Sequence, residues 1–103
     1  MKFGDDFRRV ISSIPRGTIL TYGEVAEESG HVGASRSVGN FLAQGDTELP
    51  WWRVVTASGR LVPGNEREHA ELLRAEGVRL RNGHVDMNTR RARRAQANTT
   101  LEP

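Results

Sequence analysis

Apolar residues recur along this chain with a helical period. Phe3, Phe7, Val10, Ile11 and Ile14 stand three and four apart, which predicts one buried stripe on a first helix. Asp5 or Asp6 favours its start, and Pro15 and Gly17 stop it. Residues 18–20 read as a short extended piece. Thr21-Tyr22-Gly23-Glu24 then has the Thr-x-x-Glu form of a capping box. The helix it opens turns Val25 and Ala26 inward and ends at Ser29-Gly30. After a turn through His31-Val32-Gly33-Ala34, a further helix is predicted from Ser35 to about Gln44, with Val38, Phe41 and Leu42 inward. Two short helices joined by a glycine-containing turn read as a helix-turn-helix.

The second half is more broken. Residues 45–50 form a loop. Residues 53–56 and 60–62 read as two strands joined through Ala57-Ser58-Gly59, a small wing. Asn65 is placed to cap a last helix running to Glu76, with Leu72 and Leu73 inward and Gly77 as its stop. Residues 78–81 and His84-Val85 flank Asn82-Gly83, a strong two-residue hairpin signal. Beyond Asp86 the apolar pattern vanishes. The expectation is one domain over residues 1–86, mainly α with a small β wing, and a basic, disordered tail over 87–103. The cluster from Arg90 to Arg94 reads as a solvated tail, with DNA or a partner protein as its other possible contacts.

A length of 103 residues limits the chain to one modest core. It has no apolar run long enough for a membrane span and no signal-like N-terminus, so a cytoplasmic location is expected. Cysteine is absent, which excludes disulfides, a thiol nucleophile and Cys-ligated zinc. His31, His69 and His84 are scattered and read as surface or turn residues. No metal-ligand spacing and no cofactor motif is present. The sequence pI of about 9.9 suggests nucleic acid, but the charge is uneven. Residues 1–86 carry 11 Lys+Arg against 12 Asp+Glu, whereas residues 87–103 carry four Arg against one Glu. Individual arginines must therefore carry a nucleic-acid argument. The Arg-rich, Lys-poor composition suggests a bacterial source.

Six stretches occur in one order over about residues 3 to 86. They are Ile14-Pro15-Arg16-Gly17, Thr21-Tyr22-Gly23-Glu24-Val25-Ala26, Ser35-Arg36-Ser37-Val38-Gly39, Pro50 to Val55, Ser58-Gly59-Arg60-Leu61, and Leu72-Leu73-Arg74-Ala75-Glu76-Gly77. In this order and spacing the chain resembles the DNA-binding domain of O6-alkylguanine-DNA alkyltransferases, and within that family the alkyltransferase-like proteins. The resemblance implies a winged helix-turn-helix domain. In the active enzymes a Cys thiolate takes the alkyl group from guanine O6, activated by a neighbouring His through water and by a Glu. The resemblance puts those positions at Trp51, Trp52 and Glu76. Indole nitrogen is a donor without usable basicity, so neither Trp can serve as nucleophile or base. Alkyltransferase-like proteins usually carry Trp followed by His, and Trp52 departs from that as well. Trp52 is expected to pack, and Glu76 to hold the last helix.

The resemblance also assigns roles in binding. Arg36 would enter the base stack through the minor groove and fill the gap left by a flipped nucleotide. Tyr22 would press on the target phosphate, and a helix N-terminus beside it offers amides to that phosphate. The carbonyl of Val54 would read the guanine amine. Tyr22, Pro50, Trp51, Val54, Ser58 and Gly59 are thus the expected lesion pocket. Thr21, Tyr22, Arg36, Gly39, Asn40, Arg53 and Arg60 are the expected DNA contacts, with Arg60 and Arg67 as candidates for a basic residue near the guanine. The expected activity is non-enzymatic: a monomer that binds O6-alkylguanine in duplex DNA and flags it for nucleotide excision repair, with UvrA as a partner. The alternative is a winged-helix transcription regulator that binds undamaged DNA. It needs base-reading side chains where Gly39, Asn40 and Ala43 stand, and no dimerisation segment is evident.

Overall fold

The computed structural model describes residues 3–45 and 48–90. Helix α1 (Phe3–Ser12) buries Phe7, Val10 and Ile11. Ile14 follows in a turn beyond the helix and is also buried, while Phe3 stays exposed. Strand β1 (Leu20–Thr21) leads directly into helix α2 (Tyr22–Glu28). The expected capping box is formed: Thr21 Oγ1 accepts from the Glu24 amide at 3.1 Å, and Glu24 Oε1 accepts from the Thr21 amide at 2.9 Å. Helix α3 (Ser35–Leu42) ends two residues earlier than its pattern predicts. Val38 is its fully buried residue, and Phe41 and Leu42 pack on the core in part.

The wing is where the fold departs from expectation. Pro50 leads into a 3-10 turn, Trp51–Arg53, and then strand β2 (Val54–Val55). β2 does not pair back on residues 60–62. It pairs in parallel with β1, in the register Leu20↔Val54 and Thr21↔Val55. The reason is burial. Both valines are enclosed, as are Ile19 and Leu20, so each run is a short core strand that needs an equally apolar neighbour. Residues 56–60 form a tight turn instead, in which Thr56 Oγ1 accepts from the Arg60 amide at 2.8 Å.

The β1–β2 pair also divides the interior. Side chains of a strand alternate between its two faces. Leu20 and Val54 join the cluster of α1, α2 and α3 that includes Phe7, Ile11, Val25 and Val38. Ile19 and Val55 face a second cluster with Leu61, Ala70, Leu73 and Val85. Helix α4 (Glu66–Ala75) supplies that second side. Asn65 stands at its N-cap, but its side chain makes no capping hydrogen bond. Leu73 is fully buried, whereas Leu72 is only half-buried.

The hairpin of β3 (Leu80–Arg81) and β4 (His84–Val85) forms as expected, antiparallel. Asn82 and Gly83 both have positive φ, 54° and 79°, the geometry of a type I′ turn. The chain does not leave the domain at Asp86. Met87 packs on the second cluster. Arg90 donates from Nη1 and Nη2 to Glu24 Oε1 and Oε2 at 2.7 and 2.6 Å, a two-pronged ion pair. Residues 87–90 are thus fastened by two long side chains, which leave no periodic signal in sequence. The rest of the expected tail, with Arg91, Arg93 and Arg94, lies outside the described residues. Among the described residues no helix is long and apolar enough to cross a membrane.

Candidate functional site

The turn at Trp51–Arg53 organises the site because its three side chains go to different places. Trp52 and Arg53 point to Glu76, at the end of α4. Trp52 donates from its indole Nε1 to Glu76 Oε2 at 2.7 Å. Arg53 donates from Nε to both carboxylate oxygens at 3.0 Å and from Nη2 to Oε2 at 2.6 Å. The Gly17 amide donates to Oε1 at 2.9 Å, and Arg53 Nη1 donates to the Ile14 carbonyl at 2.7 Å. The Glu76 side chain is only 3% exposed. Burial pushes its carboxyl up, but Arg53, the Gly17 amide and the Trp52 indole outweigh that and hold it below the ordinary glutamate value. The carboxylate is therefore saturated with structural partners. Trp52 packs and bonds there, as a structural residue.

Trp51 is left to face outward, half-buried. It lies edge-on to Trp52 at 5.9 Å and to His69 at 5.0 Å between ring centroids. His69 is fully buried, against the expectation of a surface residue. Its Nδ1 accepts from the Val62 amide at 3.1 Å, which leaves Nε2–H to donate to the Trp52 carbonyl at 2.9 Å. Two backbone groups thus fix its tautomer. Burial pushes its pKa down, and the Trp52 carbonyl bond opposes this only in part, so the ring is neutral. His69 precedes Leu73 by four residues. That spacing puts it on the inward face of α4, a signal present in the sequence. His31 stands in the turn between α2 and α3, as expected, and there stacks on Phe3 with centroids 3.9 Å apart and meets Asp6 at 2.7 Å.

Trp51 forms one wall of a cleft of about 440 Å³, with Tyr22, Gly39, Leu42, Val62 and Pro63. This is within the size range of small-ligand pockets, roughly 300–1,000 Å³. Asn65 and Glu68 are its polar wall residues. A wider groove of about 670 Å³ adjoins it, lined in part by Thr21, Tyr22, Arg36, Gly39, Asn40 and Arg60. Tyr22, Gly39 and Pro63 line both, so the groove leads into the cleft. A Cβ on Gly39 would meet nothing within 4 Å. The protein's own packing therefore does not require glycine there; its absence of side chain leaves the groove open. Burial pushes the Tyr22 phenol up, so it stays a neutral O–H at the junction.

The structure thus gathers six of the seven expected DNA contacts along one groove, and it gathers Tyr22 and Trp51 in the cleft. Arg53 is the exception, because its guanidinium is held by Glu76 and Ile14. Pro50 stands at the N-cap of the Trp51 turn, where its carbonyl accepts from the Arg53 amide at 3.1 Å. Val54 is buried in the first core, Ser58 is exposed away from the cleft, and Gly59 is covered by the chain near Val85 and Met87. Val62, Pro63 and Asn65 come from the loop after residue 61, which the resemblance implies shapes the alkyl side of the pocket; Leu42 and Glu68 are cleft residues that sequence reasoning missed. A second cleft, lined by Arg16, Arg79, Asp86 and Arg90, is polar and lies behind Glu76. Among the described residues no cluster of His, Asp and Glu could hold a metal ion.

Residues 2–78 match the family model described as 6-O-methylguanine DNA methyltransferase, DNA binding domain. The chain belongs to this family. Its relatives include proteins named for base flipping and methyltransferases. A DNA base-flipping protein of Vibrio parahaemolyticus is 36% identical over 69% of this chain and 75% of its own length. The Escherichia coli protein of the same name is 38% identical over 77% of this chain and 65% of its own length. A methylated-DNA–protein-cysteine methyltransferase of Mycolicibacterium paratuberculosis is 41% identical over 56% of this chain, which spans only 39% of that enzyme. The fold matches that of S. pombe Atl1 in complex with damaged DNA containing O6-carboxymethylguanine, with a TM-score of 0.71 and 28% identity over 79% of this chain and 83% of Atl1. The mainly helical domain with a small sheet is thus the fold of alkyltransferase-like DNA-binding domains.

Proposed function

We propose that this protein is a non-enzymatic sensor of O6-alkylguanine in duplex DNA. The observation that carries this reading is the continuity of the groove and the Trp51 cleft. A groove bearing Arg36 and Arg60 fits a phosphate backbone, and an aromatic, mainly apolar cleft beside it fits an extruded base. Arg36 is exposed and makes no salt bridge or side-chain hydrogen bond among the described residues, so its guanidinium is available to fill a vacated stack. The approach is from the minor groove, as the family resemblance implies. Tyr22 presents its neutral hydroxyl to the phosphate of the flipped nucleotide, and Trp51 offers its face to the base. Stacking of this kind contributes about 1–3 kcal/mol per base.

The absence of cysteine and the full engagement of Glu76 support binding without alkyl transfer. Relatives named for base flipping support the same reading. In this proposal the binding domain extends through Arg90, and the protein acts as a monomer in the bacterial cytoplasm. It marks the lesion for nucleotide-excision-repair proteins such as UvrA, a step that rests on the family resemblance alone.

The test is titration of duplexes identical except for one G or O6-methylguanine, at two salt concentrations. The expected preference for the modified duplex is tenfold or more, about 1.4 kcal/mol. Trp51→Ala and Arg36→Ala are expected to lose it. Equal, salt-sensitive binding to both duplexes would instead identify a general DNA-binding module.

A further inference from the structure

We infer that Glu68 makes the cleft select among O6 substituents by charge, favouring neutral donor-bearing groups such as 2-hydroxyethyl over anionic ones such as carboxymethyl. The inference rests on the cleft being the lesion pocket. Among the described residues that line it, Glu68 alone carries a charge; Tyr22 is the other titratable group, and burial raises its pKa. Among the described residues no cation lines the cleft to offset it. Arg36 and Arg60 line the groove rather than the cleft, and Arg53 is held by Glu76. Glu68 is exposed, and it makes no ion pair or hydrogen bond among the described residues.

Two neighbours decide the sign of the local field. The first turn of α4 presents the positive end of a helix dipole, equivalent to roughly half a charge. That turn also holds Glu66 and Glu68 with Arg67 between them; Arg67 is exposed and does not line the cleft, whereas Glu68 does, so the side-chain charge at the cleft wall is negative and unfavourable to anions. Asn65, half-buried on the same wall, has a side-chain amide that does not cap the helix and can turn either its donor or its acceptor toward a ligand. A carboxylate only accepts hydrogen bonds, so a hydroxyl on the substituent meets a partner in Glu68. A carboxymethyl group meets a like charge, and it must also shed water into a cleft whose other walls are mainly apolar.

The full chain is titrated by gel shift with duplexes carrying G, O6-methylguanine, O6-(2-hydroxyethyl)guanine or O6-carboxymethylguanine, alongside Glu68→Gln. The expected result is at least tenfold weaker binding of carboxymethyl than of hydroxyethyl, falling to threefold or less in Glu68→Gln. Far-UV circular dichroism and urea denaturation of Glu68→Gln should match the wild type, which shows that the variant folds. Equal binding of carboxymethyl and hydroxyethyl, or a ratio that persists in Glu68→Gln, overturns the selection while a preference for methyl over G leaves the lesion pocket standing. Equal binding of methyl and G overturns both.

Discussion

Replacing Glu76 by Gln tests whether this carboxylate is the structural centre of the domain. In the wild-type protein it accepts from the Gly17 amide, the Trp52 indole, and Arg53 Nε and Nη2. A glutamine keeps the volume but presents one acceptor oxygen and an NH2 group, which faces donors. It also leaves the Arg53 guanidinium without a counter-charge at 15% exposure. Removing one partner of a buried ion pair costs about 3–5 kcal/mol. Arg53 keeps its bond to the Ile14 carbonyl and some access to water, so the lower end applies, about 3 kcal/mol. For a domain of this size that is a fall in Tm of roughly 12–24 °C. Urea denaturation followed by Trp fluorescence measures it. The pH profile gives a second readout. A carboxylate held below its ordinary value stabilises the fold above that value, and the contribution is lost as pH falls through the folded one. Glu76→Gln should lose that acid-side slope. A cost below about 1 kcal/mol, with the slope intact, would refute the account of Glu76 as a saturated structural hub.

Three further outcomes are expected. His69 is buried neutral, so wild-type stability should decline as pH falls below its ordinary value near 6.5, and His69→Gln should flatten that decline in urea titrations at several pH values. Gly59→Ala should cost about 3 kcal/mol in the same assay, because φ is +85° and the new Cβ would clash with the Val85 carbonyl oxygen; a change under about 1 kcal/mol would mean that the turn relaxes easily. Arg90→Ala should lower stability by about 1–2 kcal/mol through loss of its pair with Glu24, whose two side chains are only 20% and 17% exposed. No change there would place residues 87–90 outside the cooperative unit.

The features legible in the sequence were the local ones. The capping box at Thr21 and Glu24, the α1 stripe and the Asn82-Gly83 turn each follow from residues within a few positions of one another, and each forms. The partner of Val54-Val55 was not local. A short apolar run states that it will be buried, not which run it will meet, and Leu20-Thr21 lies more than thirty residues away. The same holds for the site. Motif order pointed to Tyr22, Arg36 and Trp51, which do line one continuous surface. It could not place Arg53, whose fate depends on Glu76 and Ile14 from two distant segments, nor show that Leu42 and Glu68 complete the cleft. Arg90 was hidden for a related reason: one long side chain reaching across the fold leaves no periodic trace.

The turn at Trp51–Arg53 has a thermodynamic consequence for recognition. Trp51 stands beside two residues clamped to Glu76, and its ring abuts a His69 fixed by two backbone bonds. Its rotational freedom is therefore lost when the protein folds, not when it meets DNA. Ordering a flexible side chain at an interface costs about 0.5–1.5 kcal/mol at the moment of binding. In the proposed binding mode, a stacking surface set in advance avoids that cost, leaving the extrusion of the nucleotide as the main barrier to entry.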